Sequence, residues 1–193
     1  MKTHWSKGTG VRMLASNFIL LSFLFFSLSC DHSIDPTYFN SGFRGITHTT
    51  DSPLPIGEID HDDWKADIEW NYPVLPCQDN STPAKISLLQ SFNIVPLPYR
   101  VEYYPCYPNP TDGSTSFTVG LPYNSRAYLA IIDQDFNTVS VLLCDEPLHA
   151  GYYAILWMPP SNLPRGIYRS ILQLKYLDTG EIEFQSHGDI WLK

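Results

Sequence analysis

The chain has 193 residues, room for one ordinary domain with appendages but not for two full-sized ones. Aromatic residues reach 14% and prolines number 16, while only 17% of positions are charged, a profile closer to exported β-proteins than to helix-rich enzymes. The formal net charge of -8, with no basic run downstream of Arg12, argues against a nucleic-acid partner, because affinity for phosphates needs clustered Lys and Arg.

Lys2, Lys7 and Arg12 give a positive start, and Met13 to Ser29 follows as an almost unbroken apolar run without charge, the pattern of a signal peptide. The run ends in Ser27-Leu28-Ser29-Cys30 and polar residues begin at once. This end resembles a bacterial lipoprotein signal, in which cleavage precedes a Cys whose sulfur carries diacylglycerol. The resemblance implies that residues 1–29 are a cleaved lipoprotein signal peptide and that Cys30 is lipidated. Such an anchor would hold the protein at the outer membrane of the cell envelope, facing the periplasm or the surface. An ordinary cleaved signal and an uncleaved anchor are the alternatives, the run being at the short limit for crossing a bilayer. Loss of the leader would leave the rest roughly three charges more negative.

Residues 30–85 read as a polar, acidic, Pro-rich tether, since Pro36, Pro53, Pro55, Pro73 and Pro76 break any helical or strand period. Within the tether, Gly57 to Trp70 is rich in Asp and Glu. It lacks the turn Gly and the closing Glu of an EF-hand, so a solvated segment is expected there before a calcium site. Trp64 and Trp70 are expected to dock this segment onto the domain by burying their rings. Cys77 and Cys106 share Pro-rich, aromatic surroundings and form the candidate disulfide of an oxidising compartment. Three unpaired thiols, with Cys144 a small apolar residue in a strand, are the alternative.

The sandwich is expected over residues 86–193. Ile86 to Tyr104 reads as an entry strand, with a short helical turn at Ile86 to Phe92 as the alternative. Short β-rich segments follow at near-even spacing: Thr115 to Leu121, Ala127 to Asp133, Thr138 to Leu143, Tyr152 to Met158, Gly166 to Leu177 and Glu181 to Trp191. Alternation with turn residues between predicts an all-β fold, an antiparallel β-sandwich. Tyr128 to Ile132 is apolar on both faces, which suits an inner strand. Asp178-Thr179-Gly180 predicts a hairpin turn, and Asp135-Phe136-Asn137 a turn with Asn137 in the left-handed position.

The order of Tyr107-Pro108-Asn109-Pro110, a strand ending Gly120-Leu121-Pro122, Gly151-Tyr152-Tyr153 leading to Trp157, Leu163-Pro164-Arg165-Gly166-Ile167-Tyr168 and a last strand closing on Lys193 resembles the FlgD-like and type IX secretion C-terminal sorting domain families. The resemblance covers residues 107–193 and implies a seven-stranded Ig-like sandwich. In it Tyr107 to Pro110 would open the module, Gly151 and Gly166 would make backbone turns, Trp157 would fill the core, and Lys193 would end the last strand. It also implies the type IX secretion machinery as a partner. Two departures stand out: Asn137 replaces the usual Gly, and Asp189 puts an acid where the family has a basic or apolar residue.

The histidines fall in no metal-binding spacing, and no nucleophile elbow or phosphate-cradling loop is present. Asp145 and His149 share one expected loop and His187 could approach them, yet no Ser or Cys is visibly paired with the three. A non-enzymatic protein is expected, with no metal and no cofactor, and with a protein or glycan as the candidate ligand of its exposed loops.

Overall fold

The computed structural model describes residues 45–57, 59–66, 77, 85–88 and 96–193. The leader, Cys30 and Trp70 lie outside the described residues. Among those described there is no helix; eight strands form two four-stranded antiparallel sheets packed as a sandwich. Strands β1 (Lys85–Leu88), β2 (Glu102–Tyr107), β3 (Thr115–Leu121) and β6 (Gly151–Trp157) make the first sheet, in the order β1-β6-β3-β2. Strands β4 (Ser125–Ile132), β5 (Thr138–Leu148), β7 (Gly166–Tyr176) and β8 (Ile182–Leu192) make the second, in the order β5-β4-β7-β8.

All six segments expected after residue 107 are strands, five of them within two residues of the expected ends. The exception is β5, which runs on to Leu148 because its bulged pairing with β4 continues through Glu146, Pro147 and Leu148. The expected entry strand is instead two separate strands: β1 pairs with β6, whereas β2 pairs with β3 on the other side of the sheet.

Phe117 and Val119 of β3, Ile155 and Trp157 of β6, Leu129 and Ile131 of β4, and Leu172 and Leu174 of β7 fill the space between the sheets. Trp157 is buried as expected, packs edge-on against Tyr168 and donates its Nε1–H to Ser140 Oγ at 3.2 Å. Burial of the ring is favourable because the indole N–H finds a partner. On the second sheet's other face Ala130 and Ile132 of β4 and Ile171 of β7 are also fully buried, so β4 is apolar on both sides and lies inside its sheet.

The turns show where side chains compete for backbone positions. In the β7–β8 hairpin Gly180 has φ 71° and its N–H returns to Tyr176 O at 3.0 Å, as the sequence predicts. In the β4–β5 turn the left-handed residue is Phe136, at φ 63°, and not Asn137. The Asp133 carboxylate explains the exchange. It accepts from Asp135 N and Asn137 N at 2.9 and 2.8 Å and from Asn137 Nδ2, so Asn137 serves as a donor clamp instead.

Gly151 and Gly166 open β6 and β7 with φ of 153° and 157°. Two residues after each stands a buried tyrosine whose hydroxyl turns back to the carbonyl four residues upstream: Tyr153 to His149 O at 2.9 Å and Tyr168 to Pro164 O at 2.5 Å. The same Gly-x-Tyr corner therefore fastens the entry of both strands.

Candidate functional site

The segment expected as a tether is part of the domain where it is described. Thr47, Thr49 and Asp63 are buried, and two isolated bridges tie the segment to the sandwich, Thr49 to Asn109 and Ala66 to Ser186. Polar residues dock here because each of them meets a backbone or charged partner, which low apolar content alone does not reveal.

Asn109, between two cis prolyl bonds at Pro108 and Pro110, is fully buried and joins three chain segments. Its Nδ2 donates to Thr47 O and Asp189 O at 3.1 and 2.8 Å, and its Oδ1 accepts Trp191 N at 3.0 Å. Thr49 N donates to Asn109 O at 2.8 Å, and Thr49 Oγ1 donates to Cys106 O at 2.6 Å. Thr111 O in turn accepts Lys193 N at 2.9 Å, so the start of the expected module lies beside its end. The four residues Tyr107 to Pro110 thus act through Asn109 as a joint, a larger role than the turn expected of them.

Beside that joint lies a buried ionic cluster. Arg169 of β7 and Asp189 of β8 are cross-strand neighbours, and their side chains make a bidentate pair, Nε to Oδ1 at 2.6 Å and Nη2 to Oδ2 at 2.8 Å. Asp63 comes from the docked segment: its Oδ2 accepts Asp189 N at 3.0 Å, and its Oδ1 stands 3.8 Å from His187 Nε2. Burial, reinforced by the negative charge of Asp189, pushes the Asp63 carboxyl up to about 8. Burial and the Arg169 cation push His187 down to about 3. Asp189 is also raised by burial, opposed by its pairing with Arg169. The cluster at neutral pH is therefore one ion pair, a protonated carboxyl and a neutral imidazole.

Trp64, next in the chain, points the other way. Its backbone N–H donates to His187 O at 2.6 Å, and its ring enters the gap between β2 and β8, 5.0 Å from the Tyr103 ring centroid and 6.4 Å from that of Phe117. The ring lies so close on Gly188 that a Cβ there would overlap the indole. The expectation that Trp64 docks the acidic segment is met.

The cysteines pair differently from the sequence expectation: Cys77 is bonded to Cys144, with Cα atoms 5.6 Å apart, and Cys106 is free. The reason is burial. Cys106 projects into the core, where burial pushes its thiol up to about 12, whereas Cys144, in the bulged part of β5, lies outside the core cluster and is bonded to Cys77. Asp145 and His149 do not assemble with His187 either. Asp145 bonds Arg126 and Tyr128, both at the β4–β5 pair, and His187 faces Asp63 from the middle of β8. Ser170 and Ser186, the neighbouring hydroxyls, alternate onto the other face of the sheet from His187. The arrangement is suited to locking one chain segment to another.

Comparison with protein-family models, curated proteins and solved structures found no match.

Arg169, Asp63 and His187 carried no motif that marked them. The one signal was Asp189, the acid singled out in the terminal strand, and its register partner across the hairpin is Arg169.

Proposed function

We propose that the chain is a non-enzymatic, lipid-anchored protein of the bacterial outer membrane, carrying an Ig-like sandwich as a structural or adhesive module. The observation that carries this reading is the leader: a basic start, an uninterrupted apolar run and Ser29-Cys30 followed at once by polar residues. The Cys77 to Cys144 disulfide supports export, because such bonds persist in oxidising compartments. The two tyrosine corners and the facing four-stranded sheets support the Ig-like assignment. Asp63 of the buried cluster is engaged in holding its own segment to β8, through Asp189 N and beside His187, which favours a scaffold over a catalyst. Cys30→Ala, or inhibition of the lipoprotein signal peptidase, should move the protein from the membrane to the soluble fraction. Unchanged fractionation would remove the lipid anchor.

A second reading is cargo of the type IX machinery, with the sandwich as sorting signal. It is favoured by the ordered run of motifs from Tyr107 to Lys193 and by the adjacency of Thr111 and Lys193. Residues 45–193 fused to a periplasmic reporter should then be secreted by a host that has this system, and retention of the reporter excludes it.

A further inference from the structure

At the end of the sandwich where β3 turns into β4 and β7 into β8, a depression of about 400 Å³ is lined by Tyr123, Asn124, Tyr176, Leu177 and Asp178. The two tyrosine rings stack on each other, 6.0 Å between centroids at 20°, yet stay 41% and 42% exposed. Large aromatic surface left in water at a loop cluster is unfavourable unless something covers it.

The lining is held firmly. Asn124 Oδ1 accepts Ala150 N from the β5–β6 turn at 3.0 Å, which fixes the amide and leaves its Nδ2 donors to the depression. Tyr176 N and O both bond across the β7–β8 turn, to Glu181 O and from Gly180 N at 3.0 Å each, which sets the position of Asp178. Among the described residues no group engages the Asp178 carboxylate, the Asn124 Nδ2 or either tyrosine hydroxyl. The site offers flat apolar rings, a fixed amide donor and a carboxylate acceptor, with no cation in the lining.

That combination selects among ligands. An anion would meet Asp178 unscreened. A proline-rich peptide would stack on the rings but brings few N–H donors, leaving the carboxylate desolvated without a partner. A neutral sugar presents an apolar C–H face to stack and hydroxyls that both donate and accept. A second tyrosine cluster, on the outer face of the first sheet, is less suited: the Tyr104 and Tyr152 hydroxyls both already donate to Glu102.

We propose that the Tyr123–Tyr176 depression is a glycan-binding site for neutral polysaccharide, with stacking on the rings and hydroxyl contacts to Asn124 and Asp178. The assignment rests on the adhesive reading of the module and gives it a ligand class. The test is an array of neutral and acidic bacterial, fungal and plant polysaccharides probed with the purified full chain, followed by calorimetry with a soluble glycan it retains. A neutral glycan should be bound, and Tyr123→Ala or Tyr176→Ala should weaken it about tenfold, the stacking contribution of one ring. Asp178→Ala, in an exposed turn that leaves both rings in place, should weaken it similarly, and Tyr99→Ala, far more exposed and outside the depression, should not. Binding to no glycan, binding to acidic glycans alone, or affinity unchanged in all three variants overturns the proposal. Cys30→Ala fractionation is read separately, so an anchored protein that ignores glycans sinks this site and leaves the anchor standing.

Discussion

Asp63→Asn should change how stability depends on pH, and the change can be worked out from the buried cluster. Between 3.8 and about 8 the Asp63 carboxyl is protonated in the folded chain and ionised in the unfolded one, so unfolding releases a proton and stability falls as pH rises. Between about 3 and 6.5 His187 is neutral when folded and charged when unfolded, so its contribution rises with pH. The two slopes oppose each other up to 6.5, and Asp189, also raised by burial, adds to the fall. Above 6.5 His187 no longer contributes, and Glu183, pushed up to about 7 by burial, is common to both chains: from there to about 8 the Asp63 share of the loss should be about 1.6 kcal/mol, the slope falling from about 1.4 kcal/mol per pH unit as the carboxyl ionises. The substituted amide keeps an oxygen for Asp189 N and cannot ionise, so the variant should be flat over the same interval once groups common to both chains are subtracted. Urea unfolding followed by tryptophan fluorescence, at pH 6.5, 7, 7.5 and 8, gives the difference directly. If the wild type and the variant run parallel across that series, Asp63 is not held protonated and the account of the cluster fails.

Trp64→Ala should destabilise the chain by about 3 kcal/mol through loss of a packed ring, and Gly188→Ala should be harmful in the wild type but milder beside Trp64→Ala, a coupling that a double-mutant cycle measures. Mass spectrometry of non-reduced peptides should join Cys77 to Cys144, with Cys106 alkylated only after unfolding; Cys144→Ala, opening a 67-residue loop, should lower stability by about 4 kcal/mol in the chain-entropy account. Tyr168→Phe removes one hydrogen bond to Pro164 O and keeps the ring, so a loss of about 1 kcal/mol in the same urea titration is expected.

The strands after residue 107 were legible because alternation and turn residues are local: Thr115 to Leu121 is the strand the sequence predicts, end for end. Trp64 was legible as an anchor because a large ring in a polar stretch has few other uses. The ionic cluster was not, because Asp63 and Asp189 are separated by 126 positions and meet through register and a backbone N–H, neither of which leaves a motif. Cys77 failed for a related reason. Similar flanking prolines say nothing of whether a cysteine is taken into the core, and of Cys106 and Cys144, which stand in different sheets, only Cys106 is part of it. The Phe136 turn was misassigned because the competing acceptor, Asp133, acts from four residues away.

Residues 63–66 run along β8, the outermost strand of its sheet, with Trp64 N on His187 O, Asp63 on Asp189 N and Ala66 opposite Ser186. A strand with its amides left open is a template on which another chain can add, and here the protein's own upstream segment already occupies that place. Cutting the chain back to begin after residue 66 would uncover the Ser186 to Asp189 stretch of that edge beside an empty aromatic slot. Shortened forms would then associate edge to edge, and any crystal or display format built on them would report neighbours that the intact protein does not have.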